Sequence, residues 1–257
     1  MIKLLEFPHS HYCEKARWAL DYKRIPYEAI PIMPGLHMIT VRRYAPDTSV
    51  PVLLRGGKAV QGSTQIINYL EENFPDRRLT PNDPELRQAC LKLEATMDKQ
   101  LGENIRQILY HRLLAYPDFV RYCFTHPMPS YKQWMFSLMY PVIRRKIYQT
   151  VVISDGAVNK ALGEFALAMQ ALLQKIQHRP YLIGDHFGRA DLTVASMLAF
   201  INMPSQHPFP WIEIPDPQIH AFFDSYQDHP VIVWAKDIYR NYRIADISGP
   251  RTEKRCD

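Results

Sequence analysis

Apolar and polar positions recur along this chain in two different rhythms. Over the first eighty residues, short apolar runs of strand length are separated by helical stretches. The runs are 2–7, YEAIPI from Tyr27, VPVLL from Val50, and KAV after the Gly56-Gly57 pair. The last two, split by two glycines, carry the signal of a hairpin. Between them, 12–23 repeats apolar residues at helical spacing, with Tyr12, Cys13, Ala16, Ala19 and Leu20 forming a narrow inward stripe, and STQIINYLEENF reads as a helix stopped at Phe74-Pro75. After about residue 85 the period turns helical with few strand signals, and that shift predicts a domain boundary. Long packed helices are predicted over 91–112 and 159–176, and ADLTVASMLAFI, 190–201, is apolar nearly all round, as a core helix is.

The order β-α-β, irregular helix, β-β-α is that of a thioredoxin-like domain. The expected architecture is an α+β thioredoxin-like domain over 1–80, a linker over 81–88, and an all-α domain over 89–257. Composition agrees with a folded soluble chain: of 257 residues, 47% are hydrophobic and 22% charged. The start, MIKLLEFPHS, is too soon interrupted to read as a signal peptide, and no apolar run reaches spanning length, so a cytoplasmic protein is expected. Cys13, Cys90, Cys123 and Cys256 show no paired spacing, which reads as free thiols and no metal site. A net charge of +5, spread along the chain without an aromatic-interleaved basic stripe, argues against nucleic acid and leaves small anionic substrates compatible.

Candidate chemistry begins at FPHSHYCEKARWAL, 7–20, where Ser10 and Cys13 stand three apart as a strand gives way to a helix. Ser10 suits a helix N-cap and also a donor to sulfur. Cys13, one turn in, suits a small core residue; its functional alternative is a resolving thiol. Tyr12 is a minor source of a hydroxyl, and His9 and His11 are expected to be solvated or capping groups. Val50-Pro51 before a strand predicts a cis peptide, with Val50 backbone groups turned outward toward an extended peptide ligand. Ser63 and Thr64 sit at a helix start, where free N–H groups and the positive dipole end favour a carboxylate.

Four stretches in this order, SHYC, SVPVLL, QGSTQIINYL and GRADLTVAS, resemble the glutathione transferase superfamily. The turn is most similar to its tau and omega classes, whose catalytic serine or cysteine falls at Ser10. The resemblance implies glutathione as cosubstrate, with Ser10 activating its thiolate against an apolar electrophile in detoxification. It places Val50 and Pro51 along the tripeptide, and Ser63 and Thr64 at the γ-glutamyl carboxylate. Gln61 stands one place before the usual acidic or amide position, which is Gly62 here, and His37 is the candidate for the glycyl carboxylate. It also implies a homodimer, and a structural role for Asp191 behind Gly188. Two alternatives stay open: a glutathione-binding regulatory or structural protein with a weakened site, and a thiol transferase or isomerase using Cys13. The aromatic-rich segment 110–153, broken by prolines at 117, 127, 129 and 141, reads first as extra core and dimer surface, second as a pocket wall. Peripheral membrane contact through FSLMYPVIRRKIY ranks last.

Overall fold

The computed structural model describes residues 1–151 and 153–243. Its N-terminal part is built on a four-stranded mixed sheet in the order β2-β1-β3-β4. β1 (Ile2–Glu6) runs through α1 (His11–Tyr22) to the parallel β2 (Tyr27–Pro31), and a short α2 (His37–Val41) follows. β3 (Val52–Arg55) lies antiparallel to β1, turns at Gly56-Gly57 and pairs with β4 (Lys58–Gln61), which leads into α3 (Ser63–Asn73). Strand alternation splits the core: Leu4 joins the main cluster with Ala16, Leu20 and Ile66, while Leu5 joins Ile32, Val41 and Val52 in a small one. This is the thioredoxin-like domain, and helices make up the rest.

α4 (Pro84–Met97) starts within the stretch read as linker, capped by Asp83, whose side chain accepts the Leu86 N–H at 2.9 Å. It continues through a π-helical turn, Asp98–Glu103, into α5 (Asn104–Leu113), so the helix predicted over 91–112 is longer and interrupted. The interruption seats Tyr12, whose hydroxyl donates to Asp98 O at 2.6 Å. α6 (Pro117–Thr125) and α7 (Ser130–Val151) follow; Pro141 lies inside α7 without ending it. They form a second core, with Phe124, Phe136 and Tyr140 packed on Met33 and Phe209. The opposite face of α7 leaves Tyr131, Trp134, Leu138 and Val142 exposed. α8 (Asp155–Ile176) and α9 (Arg189–Met197) come next, and all nine residues of α9 are buried. α10 (Ala199–Asn202), α11 (Pro217–Asp224) and α12 (Pro230–Tyr242) complete the described chain. Cys13, Cys90 and Cys123 are free and buried, and Cys256 lies outside the described residues.

α1 departs most from its expected packing. Instead of a narrow stripe, ten of its twelve residues are buried, including Glu14, Lys15, Arg17 and Asp21. The helix is enclosed between the sheet and the helical domain, and its charges are paired there. Lys15 Nζ meets Glu94 at 2.8 Å and Asp98 at 2.6 Å, while Arg243 meets Glu14 and Asp21, each at 2.7 Å. Burial is tolerable because each charge finds opposite charge and hydrogen bonds.

Candidate functional site

Ser10 closes the turn from β1 into α1. Its N–H donates to Phe7 O at 3.0 Å, and its Oγ accepts the Cys13 N–H at 3.4 Å as the helix N-cap. The acceptor role leaves the hydroxyl proton able to point into a cavity of about 170 Å³, which Ser10 lines with Phe7, Tyr12, Ser49 and Val50. Val50-Pro51 is cis, and the β1–β3 ladder stops at Val52, so Val50 sits beyond the sheet at the cavity's edge. Pro51 O accepts the Gly62 N–H at 2.9 Å and ties this loop to the start of α3. There Gly62 adopts φ 92°, a left-handed value that glycine takes without steric cost, and Ser63 begins the helix almost fully buried.

Three other expected site residues have been given different partners. Gln61 braces the loop ahead of Val50: its Nε2 donates to Asp47 O at 3.1 Å and Ser49 O at 2.8 Å, and its Oε1 accepts the Asp47 N–H at 3.3 Å. Both amide hydrogens of Gln61 are committed to the loop, and one acceptor position on its Oε1 remains. Thr64 belongs to the buried charge cluster, accepting from Lys15 Nζ at 3.3 Å and lying 3.2 Å from both Glu94 Oε1 and Asp98 Oδ2. His37 accepts the Gly35 N–H at 3.0 Å, partners the Thr48 backbone and stands edge-on to Phe7; burial lowers its pKa to about 4.

Cys13 is fully buried, its Sγ accepting the Phe7 N–H at 3.4 Å, and burial pushes its thiol up to about 12. Such a thiol is protonated at neutral pH. His9 and His11, expected at the surface, are buried. His9 stacks on Phe124 at 4.7 Å between ring centroids, and burial lowers it to about 4; His11 leans on Tyr12, and burial, then the nearby Arg106 charge, lower it to about 3. Phe124 of α6 and Phe209 cover His9, while Phe200 of α10 covers His11, which is why two polar residues lost their water. Among the described residues, no group of three or more His, Cys, Asp or Glu is placed to hold a metal ion, and no helix is long and apolar enough to cross a membrane.

Comparison with known proteins follows the same lines. Residues 4–78 match the family model for the glutathione S-transferase N-terminal domain. A probable glutathione S-transferase of Nicotiana tabacum is 28% identical over 109 residues, 42% of this chain and 47% of that protein. A maleylpyruvate isomerase of a Ralstonia species is 32% identical over 118 residues, 45% of this chain and 54% of that protein. The chain therefore spans about half the length of these curated relatives in the matched region. Among solved structures, a glutathione S-transferase of Methylobacillus flagellatus with glutathione bound shares 19% identity at a TM-score of 0.63, covering 94% of this chain and 95% of its own. A beta-etherase of Sphingobium sp. strain SYK-6 shares 18% at 0.61, covering 92% and 98%. Residues 4–78 are similar to the glutathione S-transferase N-terminal domain, and the chain as a whole shares the fold of these structures.

α9 is built around Asp191. Asp191 accepts the Leu182 N–H at 2.8 Å and the Gly188 N–H at 2.9 Å, and burial raises its carboxyl to about 6. Gly188 has no side chain because there is no room for one: a Cβ there would stand 2.8 Å from Leu79 O. The sequence reading passed over Arg106, Tyr110 and Phe200, which complete the cavity beside Ser10. Arg106 and Tyr110 are ordinary members of a helical pattern, and Phe200 belongs to a run expected to be core. Only the packing of α5 and α10 against the Ser10 turn brings them to the site.

Proposed function

We propose that this chain is a glutathione transferase that activates the tripeptide's thiolate for attack on an apolar electrophile. The observation that carries this reading is the convergence on one cavity of the Ser10 turn, at the start of α1, and Val50 of the cis Val50-Pro51 bond. Glutathione then lies along the Val50-Pro51 backbone, with its γ-glutamyl carboxylate at Ser63 and the N-terminus of α3 and its sulfur at Ser10. Gln61, Thr64 and His37 act one step back, holding the loop and helices that carry those groups.

The energetics are modest. Lowering a thiol pKa from ~8.5 to ~6.5 takes about 2.7 kcal/mol and makes thiolate the major form at pH 7. One hydrogen bond to a charged group contributes about 1.5–3 kcal/mol and a helix N-terminus some tenths to about 2 kcal/mol. The thiolate then attacks the electrophilic carbon; with an aryl chloride the C–S bond forms, the C–Cl bond breaks, and chloride leaves while the thiol proton passes to solvent. We place this work in cytoplasmic detoxification.

Glutathione titrated by calorimetry, followed by conjugation of a chlorodinitrobenzene, tests the reading. Saturable binding with chloride release is expected; no binding at millimolar glutathione would overturn it. Binding without turnover would favour a glutathione-binding regulatory protein, for which the missing side chain at Gly62 is the supporting feature. The exposed stripe of Tyr131, Trp134, Leu138 and Val142 on α7 suits a second copy of this chain. A dimeric mass by light scattering at micromolar concentration is expected, and a monomer would contradict it.

A further inference from the structure

Arg106 is the cavity residue to which the transferase reading assigns no task. It stands on α5, in the same cavity as Ser10, with Tyr110 one helical turn further on and Phe200 of α10 sharing the space. Its Nε is shut away from solvent and has no hydrogen-bond acceptor. Among the described residues no carboxylate pairs with it, and none lines the cavity. The remaining polar groups there are neutral: His9 and His11 are held uncharged by burial, Tyr12 and Tyr110 are pushed up by burial, and Ser10 and Ser49 carry hydroxyls. Other cations of the fold's interior, Lys15, Arg17, Arg189 and Arg243, are each matched by carboxylates.

Arg106 is half-buried, but its Nε is a sealed donor that calls for an acceptor, and buried donors in native proteins find one. The planar fork matches a carboxylate through two parallel hydrogen bonds, and the aromatic neighbours offer faces for a ring. We infer that Arg106 binds the carboxylate of a small aromatic acid, which makes the cavity selective for anionic electrophiles. The cavity is small, about 170 Å³, and Arg106 shares it with Ser10 and Val50. This rests on the transferase reading for the fate of the acid, and not for its binding.

Two measurements separate the levels. In the first, unreactive dinitrobenzoate and its neutral dinitrobenzamide are titrated into the protein by calorimetry without glutathione. The acid is expected to bind at least tenfold more tightly, and Arg106→Gln to abolish that preference while Arg106→Lys retains part of it. Equal affinities in the wild type, no acid binding at millimolar concentration, or a preference that survives Arg106→Gln would each overturn the inference; the first two need no variant. In the second, chlorodinitrobenzoate and its amide are compared as conjugation substrates, each against its uncatalysed rate. Arg106→Gln is expected to lower kcat/KM for the acid at least tenfold more than for the amide, chiefly through KM. Loss of glutathione affinity, or a raised thiol titration of bound glutathione, with acid and amide still equal would hand the guanidinium to the tripeptide and defeat the inference. An acid preference in binding with no conjugation of either compound would overturn the transferase reading and support the subsite.

Discussion

Ser10 and Cys13 stand three residues apart and have opposite environments. Ser10 opens onto the cavity, whereas Cys13 is sealed beneath it with a thiol raised to about 12, chiefly by burial. Ser10→Ala should therefore cut turnover about 10- to 100-fold, the rate equivalent of about 1.5–3 kcal/mol for one charged hydrogen bond, with glutathione affinity little changed. The ultraviolet thiolate absorbance of bound glutathione should titrate at higher pH in that variant. Because Ser10 also caps α1, melting temperature serves as the fold control. Cys13→Ala should be nearly silent in activity. Identical thiolate titrations in wild type and Ser10→Ala would exclude the serine, and activity lost only in Cys13→Ala would move the chemistry to the cysteine. Both residues were visible in the sequence because capping is local chemistry. Arg106 was not, since an arginine on an amphipathic helix has the same sequence pattern whether it faces water or a cavity.

Among the elements, α9 shows how a missing side chain can be a packing solution. Serine and threonine are preferred at helix N-caps, and a capping hydroxyl ordinarily stabilises by about 0.5–2 kcal/mol. Here the Leu79 carbonyl occupies that space and is itself held by the Arg189 N–H at 2.8 Å. Gly188→Ser should therefore destabilise the fold by about 1–3 kcal/mol, the usual cost of overpacking. At about 2–4 °C per kcal/mol for a chain of this size, the loss is readable as a lower melting temperature. A higher one would mean that the cap outweighs the clash. α1 teaches the complementary point: its periodicity predicts a polar outer face, yet that face is where the two domains meet.

Across the whole molecule, buried titratable groups make stability depend on pH. Burial is the main influence on His9, His11, His37 and His207 and lowers them from 6.5 to about 4, 3, 4 and 3. Each binds fewer protons folded than unfolded between those values, so its contribution is whole above pH 6.5 and is lost progressively as pH falls toward the folded value. Asp191, raised from 3.8 to about 6, acts in the opposite sense, and Asp98, also raised by burial, joins it. The histidines outnumber the aspartates. Glu14 adds a later loss: burial opposes its charge, but Arg243, His207 and Arg17 hold it down at about 2, so its stabilisation is present above 4.5 and disappears as pH falls through 2. Melting temperature should fall between pH 7 and pH 5, before most carboxylates titrate. A flat profile over that range, by scanning fluorimetry, would contradict the assignment.

The sequence by itself determined the order of strands and helices, the hairpin, the cis Val50-Pro51 bond, the change to an all-helical domain and the resemblance of its motifs to the glutathione transferase superfamily. Each depends on local rules: two-residue and 3.6-residue periods, proline geometry and capping chemistry. Only the tertiary structure decided which polar residues were buried. Glu14, Lys15 and Arg17 are indistinguishable from solvated residues until α4, β1 and the segment after α12 meet them with opposite charges. Thr64 and Gln61 have the right chemistry for a ligand, but contacts from residues far along the chain or across the loop claim their hydrogen bonds first. Arg106 became a site residue because long-range packing brought a cation into a cavity without a carboxylate, a juxtaposition that no local pattern encodes.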